Sequence, residues 1–187
     1  MGKQTLGFKK TLKKTKALVD DGRVIYFFDE ARFGLQPTFT RLWALRGKEC
    51  IVEYQQRYQW CYVYSAVAPS TGDSFSLILP EVNTQMMNIF LTHFQKHIEN
   101  KKIVLIMDRA GWHCSKKLKV PSQIELIYMP PYSPELNPVE RLWKWLRREV
   151  THNRIFSSIE SLIDNLSKTW NNLSVTKIKK LCHCGYL

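Results

Sequence analysis

The sequence predicts a layered α/β domain built on a parallel or mixed sheet. Residues 24–28 and 103–107 are two uninterrupted apolar runs, and each is followed at once by an aspartate. Five apolar residues without alternation are typical of central strands that are covered on both faces. Because strand-like and helical segments follow one another along the chain, we expect helices to cover this sheet.

The other elements are predicted from periodicity and turn residues. In chain order they are strands at 60–68 and 74–79 around a turn at 69–72, a helix at 84–98, a strand at 124–129, a stiff proline-rich connection at 130–134, a helix at 138–150, and one or two helices at about 157–171 and 175–181. Asn137 should cap the helix at 138–150, with Pro138 at its first position and Glu140 at its third. The apolar stripe of that helix should pack on the sheet.

Length and composition are those of one soluble globular domain. The chain has 187 residues, 44% hydrophobic and 24% charged, and contains no apolar run long enough to cross a bilayer. Residues 1–21 accumulate lysines without a secretory signal, so we expect a basic arm there and one folded, intracellular domain at 22–187. Five cysteines without a C-x-x-C spacing favour neither a disulfide framework nor a zinc site.

The charge balance is unusual for such a domain. There are 28 Lys and Arg against 16 Asp and Glu, a formal charge of +12. Such an excess favours a polyanionic partner, because each neutralised phosphate releases condensed counterions. Charge alone leaves nucleic-acid binding and a merely basic soluble protein equally open.

Three carboxylates are placed where they could meet. If the two apolar strands lie parallel and adjacent, Asp29 and Asp108 emerge at the same carboxyl edge of the sheet. Glu140 shares a helix face with Lys144 and Arg147, beside the apolar stripe, and can lean toward that edge. Converging carboxylates repel one another unless one is protonated or a cation lies between them.

A divalent cation would remove this repulsion, and Mg²⁺ prefers hard oxygen ligands of this kind. Two such ions can stabilise the attacking and leaving oxygens of a phosphoryl transfer, for which nucleic acid is the natural substrate of a basic chain. Each carboxylate also has a structural interpretation, since an aspartate after a strand commonly begins a loop and a glutamate in a first helical turn commonly caps it. The residues alone leave both interpretations open.

Three motifs surround these carboxylates. They are DEARFG at 29–34, DRAGWH at 108–113 and MPPYSPELNPVERLW at 129–143, and Trp43 and Gly47 form a W-x-x-x-G between the first two. Together, over roughly residues 22–172, they resemble the DDE transposases of the mariner superfamily, in particular its bacterial insertion-sequence branch. The last two acids are 140 − 108 = 32 positions apart, close to the short spacing of that superfamily.

The resemblance implies a ribonuclease-H-like mixed sheet flanked by helices, in which Asp29, Asp108 and Glu140 are catalytic and hold two Mg²⁺, with Mn²⁺ as a possible substitute. Water would hydrolyse a phosphodiester at the end of the element, and the freed 3′-hydroxyl would attack target DNA at the same site. The candidate DNA contacts are Arg32, His113, Lys144, Arg147 and Arg148. His113 could instead hold a catalytic residue in place without touching DNA, or only pack in its loop. The other four residues could instead form a solvated basic surface.

The resemblance also implies partners and a location. The partners are double-stranded DNA, as transposon ends and as target, and a second copy of the chain, with which it forms a homodimer in the DNA complex. The location is the bacterial cytoplasm, in association with the nucleoid. Two departures from the family are Arg109, where it has Asn, and the 28 residues before Asp29, where it carries helix-turn-helix modules. Such modules would be absent here, supplied by an upstream reading frame, or lost from a decayed copy. Two rival functions are a ribonuclease-H-like nuclease without strand transfer and a non-catalytic DNA-binding remnant.

Overall fold

A mixed sheet forms the centre of the molecule. The computed structural model describes residues 22–41, 43–47, 49, 51 and 53–185, and the basic arm predicted at 1–21 lies outside them. The strands in this part of the chain are β1 (Val24–Gly34), β2 (Trp60–Val67), β3 (Ser74–Leu79), β4 (Ile103–Met107) and β5 (Ile124–Tyr128). Their order in the sheet is β3-β2-β1-β4-β5. The β1–β4 and β4–β5 pairs are parallel and the β1–β2 and β2–β3 pairs antiparallel, so the predicted mixed sheet is confirmed.

Helices cover both faces of the sheet. The described residues form α1 (Thr84–Ile98), α2 (Val139–Val150), α3 (Ile159–Asn171), α4 (Val175–Cys182) and a short 3-10 helix at Pro134–Leu136. Helix α1 buries its aromatic side chains against one face, whereas α2, α3 and α4 share a second core on the other face. The predicted helices and strands are therefore confirmed, with bounds that differ by a few residues. None of these helices is long and apolar enough to cross a membrane.

Strand β1 is longer than the sequence predicted. The apolar run ends before Asp29, and we expected the strand to end there, but it continues to Gly34. The reason lies in its two neighbours. Pairing with β4 stops at Phe27, whereas pairing with β2 continues through Asp29 to the end of the strand. Asp29 is thus held in extended backbone and does not begin a loop.

The start of α2 also differs from the prediction. The helix begins at Val139, and Pro138 occupies its N-cap position without a capping side chain. The Asn137 side chain bridges two elements instead. Its Oδ1 accepts from the Val139 backbone N–H (3.1 Å), and its Nδ2 donates to the Phe28 carbonyl oxygen (3.0 Å). Asn137 therefore ties the start of α2 to β1, one residue ahead of Asp29.

Candidate active site

The parallel pair of strands brings two aspartates to one edge of the sheet. The last paired residues are Phe27 and Ile106, and each aspartate lies two residues further along its own strand direction (29 − 27 = 2 and 108 − 106 = 2). Residues two apart on a strand share a face of the sheet. The register therefore brings Asp29 and Asp108 to the same edge of the sheet, and Asp29 shares the face of Phe27, which α2 covers.

A cleft of about 420 Å³ opens between this edge of the sheet and the start of α2. It is lined by Asp29, Asp108 and Glu140, and the proline-rich segment at 129–134 forms its other wall. The structure thus brings together the three acids that the sequence singled out. Trp43 and Gly47 do not line it.

Asp29 is partly buried and is held by Trp143. The indole Nε1–H of Trp143, a side chain that is 1% exposed, donates to Asp29 Oδ2 at 2.9 Å. Burial, and after it the negative charges of Glu140 and Glu30, raise the pKa of Asp29 to about 8. Without a cation, this carboxyl group is therefore mostly protonated at neutral pH. Sequence reasoning gave Trp143 only a packing role, although its place at the end of the third motif was an available signal.

Asp108 has different surroundings. Its side chain is 57% exposed, and its Oδ1 lies 2.7 Å from His113 Nδ1 and 3.0 Å from the Ala110 backbone N–H that donates to it. The hydrogen bond with His113 lowers the pKa of Asp108 below its ordinary value. This carboxylate stays ionised, so the two aspartates of the cleft are not equivalent.

A fourth carboxylate, Glu30, lies behind the loop that follows β4. Its Oε1 lies 2.8 Å from His113 Nε2 and accepts from Trp112 Nε1 at 3.1 Å. Burial alone would lower the pKa of His113, but its hydrogen bonds with Asp108 and Glu30 raise it to about 10. The ring is therefore a cation that donates from both nitrogens, and at 1% exposure it offers neither to a phosphate. This arrangement favours support of Asp108, rather than direct DNA contact, as the role of His113.

The cleft has the donor set that divalent cations need. Among the described residues, no three His, Cys, Asp or Glu side chains are drawn together into a ready-made metal cluster. Mg²⁺ does not need one, because it keeps several waters and takes one or two carboxylates per ion. Burial is the largest cause of the raised pKa of Asp29, and the negative charges of Glu140 and Glu30 add to it. A cation in the cleft would neutralise these charges.

Three of the predicted basic residues lie on α2 rather than in the cleft. Lys144 is exposed, Arg147 lies with its guanidinium 5.3 Å from the centre of the Phe33 ring, and exposed Arg148 pairs with Glu149 at 3.3 Å. None of these three lines the cleft, but Lys144 and Arg147 continue the helix face that carries the third acid.

Arg32 and Arg109 are placed differently from those residues. Arg32 is exposed, and its guanidinium lies 5.4 Å from the Trp60 ring. Because it follows Asp29 by three strand residues, it faces the other side of the sheet. Arg109, for which the sequence offered no role, lines the cleft and lies 5.7 Å from the Tyr128 ring. It is the described arginine best placed to meet a phosphate at the carboxylates.

Tyr132 is a further residue that sequence reasoning missed. It lines the cleft, its side chain is 94% exposed, and its backbone has a φ of +56°. This left-handed conformation costs a residue other than glycine about 1–2 kcal/mol. Strain that is kept at the rim of a cleft, under an exposed aromatic ring, points to a use in substrate contact.

Tyr132→Gly should therefore raise the free energy of unfolding by about 1 kcal/mol and lower the rate of the DNA cleavage that the sequence predicts. Glycine adopts a positive φ without strain, and the exposed ring contributes little packing. Chemical denaturation and a nicking assay give the two readouts. Tyr132→Ala is the matched control, since it removes the ring and keeps the strain. Equal stability of the Gly and Ala variants would show that the strain is not relieved.

Comparisons with known proteins identify the family of the chain. Residues 24–163 match the family model described as DDE superfamily endonuclease. An uncharacterized protein of Sinorhizobium fredii, y4pE/y4sA, is 40% identical over 61% of this chain and 85% of its own length. The 39 kDa protein of insertion element IS630 from Shigella sonnei is 29% identical, over 74% of this chain and 42% of its own. The Tc3 transposase of Caenorhabditis elegans is also 29% identical, over 84% and 51%. The chain thus spans about half the length of these two relatives.

Solved structures share the fold. The Mos1 transposase paired-end complex with the left transposon end superposes with a TM-score of 0.73 at 15% identity, over 98% of this chain and 59% of that one. The catalytic domain of Mos1 mariner transposase does so with a TM-score of 0.66 at 13% identity, over 98% and 88%. Mos1 paired-end complexes with Mn and with Mg are similar too. This likeness confirms the ribonuclease-H-like fold. Since the family model covers most of the sequence, the chain belongs to the DDE superfamily endonucleases, in the branch of the mariner and IS630 transposases.

Proposed function

We propose that residues 22–187 are the catalytic domain of a transposase that cuts DNA at the ends of an insertion sequence and joins it to a target. The observation that carries this proposal is the single cleft that collects Asp29, Asp108 and Glu140 from two parallel strands and one helix. It is supported by relatives that include an insertion-element protein and the Tc3 transposase.

In this proposal Asp29, Asp108 and Glu140 hold two Mg²⁺, for which Mn²⁺ can substitute. When bound, the ions supply charge stabilisation to the attacking and leaving oxygens of an in-line phosphoryl transfer. The carboxylate oxygens of the three acids support this assignment, because they are the hard ligands that Mg²⁺ prefers, and a bound cation would favour the ionised form of Asp29. Paired-end complexes of Mos1, a structural neighbour, were solved with Mn and with Mg.

The chain's own residues orient these acids. Asp29 must lose its proton before it can act as an anionic ligand, and Trp143 holds its Oδ2 meanwhile. Asn137 fixes the start of α2, and with it Glu140, against β1. The carboxylates are therefore presented by a sheet edge and a helix start, which move less than free loops.

Double-stranded DNA is the proposed substrate, as transposon ends and as target. We assign the phosphate contacts to Arg32, Arg109, Lys144, Arg147 and Arg148, of which Arg109 lines the cleft, Arg147 is half-buried and the others are exposed. A second copy of the chain in the DNA complex, and a helix-turn-helix polypeptide from an upstream reading frame, are further partners in this proposal. Its place of action would be the bacterial nucleoid.

A cleavage and joining assay tests this function. The purified protein is incubated with a labelled duplex that carries an element end, with Mg²⁺ or Mn²⁺, with and without the product of the upstream reading frame. With the upstream product present, we expect metal-dependent nicking at the element end and joining to an unlabelled target, and neither with a scrambled end. Without it, the chain should not distinguish the element end from the scrambled one. Nicking without joining would favour a nuclease without strand transfer. Folded protein that never cleaves would favour a DNA-binding remnant.

DNA binding by this chain alone should depend steeply on salt and little on sequence. Each phosphate contact contributes about 0.9 to the slope of log affinity against log salt, so the five assigned contacts give a slope of about −4.5. Arg109→Gln should reduce that slope by about one. Lys101→Gln, an exposed residue at the opposite end of β4, should leave it unchanged. A preference of about a thousandfold for element ends over random duplex would contradict this prediction.

A further inference from the structure

We propose that Glu30 and His113 form a positioning pair that sets how Asp108 presents its carboxylate to the cations. This inference rests on the proposed function, because it concerns the same metal site. In this role, the two buried side chains orient Asp108 and do not themselves contact DNA or metal.

The first observation is the way in which His113 holds Asp108. The imidazole is 1% exposed, and its Nδ1 lies 2.7 Å from Asp108 Oδ1. The same oxygen accepts from the Ala110 backbone N–H at 3.0 Å. Both donors engage one oxygen, which leaves Oδ2 as the atom that Asp108 can turn to a ligand in the cleft. The ring of Phe28 packs edge-on against the imidazole, with centroids 5.5 Å apart, and restricts its tilt.

The second observation is the anchor of His113. Its Nε2 lies 2.8 Å from Glu30 Oε1, and Trp112 Nε1 donates to that oxygen at 3.1 Å. Glu30 follows Asp29 directly in β1, so the two side chains leave the strand on opposite faces of the sheet. Two adjacent residues of β1 therefore serve both aspartates. Asp29 lies on one face of the strand, and Glu30, on the opposite face, holds Asp108 through His113. Asp108 cannot turn away from this position without giving up its bond to His113, which Glu30 of this strand holds.

The energetics argue for orientation rather than for stability. A buried imidazole and a buried carboxylate lose their hydration, and their mutual attraction repays this loss only in part. Apolar side chains of similar volume would fill the space at least as well. Groups that orient metal ligands, in contrast, commonly change metal affinity by 10–100-fold when they are substituted.

Two substitutions of His113 separate its two bonds. His113→Asn places an amide donor near the position of Nδ1, toward Asp108, and loses the donor toward Glu30. His113→Gln places its donor near the position of Nε2, toward Glu30, and loses the one toward Asp108. Mn²⁺ affinity without DNA is measured from the electron paramagnetic resonance signal of free Mn²⁺. We expect His113→Gln to weaken Mn²⁺ binding about tenfold or more, and His113→Asn about threefold or less.

The chain offers a matched control in a second histidine–carboxylate contact. His97 Nε2 lies 3.1 Å from both oxygens of Asp73, outside the cleft. His97→Gln should leave Mn²⁺ affinity unchanged. If the His113 variants do not fold, as judged from thermal unfolding in chelator, Glu30→Gln carries the test. It keeps the volume and an acceptor oxygen, removes the charge, and should weaken Mn²⁺ binding severalfold.

Three outcomes would overturn the inference. Parent protein that binds Mn²⁺ no better than Asp29→Asn does would overturn the proposed metal site itself, and the positioning role with it. If the parent binds Mn²⁺ and both His113 variants bind it equally well, the pair does not position Asp108. If both variants lose affinity to the same extent, packing rather than the bond to Asp108 is responsible.

Discussion

Asp108→Asn should reduce DNA nicking to the level of a reaction without protein, while DNA affinity changes by no more than about threefold. The amide keeps an oxygen for the Ala110 backbone N–H, so the loop after β4 can keep its course. It cannot supply the negative charge that a divalent cation needs. The basic side chains assigned to phosphate contact are untouched, which is why binding should survive.

The measurement combines a nicking assay with equilibrium binding to the same labelled duplex. Asp164→Asn is a suitable control, because it makes the same change at an exposed position of α3 outside the cleft. We expect this variant to nick like the parent. Cleavage retained by purified Asp108→Asn would remove Asp108 from the mechanism.

In chelator at pH 8, Asp29→Asn should raise the free energy of unfolding by several kcal/mol, with an upper limit of about 5 kcal/mol. The pKa of Asp29 is about 8 in the folded protein and about 4 in an unfolded chain, and a difference of one corresponds to about 1.4 kcal/mol. Between pH 4 and 8 the unfolded chain therefore releases a proton that the folded protein retains, and stability falls as the pH rises. Asparagine removes this loss and keeps an acceptor for Trp143.

Asp108→Asn should have the opposite sign. The hydrogen bond with His113 lowers the pKa of Asp108, so this group adds stability above its unfolded pKa and loses it only in acid. Because its side chain is 57% exposed, solvent screening should keep the loss in the variant below about 1 kcal/mol at neutral pH. We therefore expect the two acids of the metal-free site to affect stability in opposite directions.

Thermal unfolding of parent and variants at pH 6 and pH 8, in chelator and with Mn²⁺, measures both effects. A cation that binds only the folded protein stabilises it by about 2.7 kcal/mol at a hundred times its dissociation constant. The parent should gain from Mn²⁺, and both variants should gain less. If both substitutions lower the melting temperature equally in chelator and in Mn²⁺, these aspartates are structural and the enzyme assignment fails.

The parts of the fold that were predictable are those with a local pattern. Two apolar runs located β1 and β4, and the third motif located the helix of Glu140. The far end of β1 was not predictable in this way. Its polar residues stay extended because β2 pairs with them, and β2 begins 26 positions beyond the end of β1 (60 − 34).

The same distinction applies to the candidate site. Its acids were predictable because each stands in a motif of characteristic residues. The partners of those acids were not, since Glu30 and His113 are 83 positions apart and Trp143 and Asp29 are 114 apart. Trp143 also belongs to an apolar helical stripe, so its pattern indicated burial and said nothing of the N–H that it donates. Arg109 lies within the second motif, but the sequence predicted no contact for its side chain. Its position in the lining of the cleft is known only from the structure.

The hydrogen bond from Asn137 to the Phe28 carbonyl joins residues 109 positions apart. During synthesis, β1 and β4 are made well before α2, so a growing chain carries two acids long before the third can be fixed beside them. Contacts of such long sequence separation also form late in refolding, because a large loop must close first. Under the proposed function, a partly folded chain would bind DNA through its positive charge without being able to cut it. Cleavage would require that the whole domain has formed.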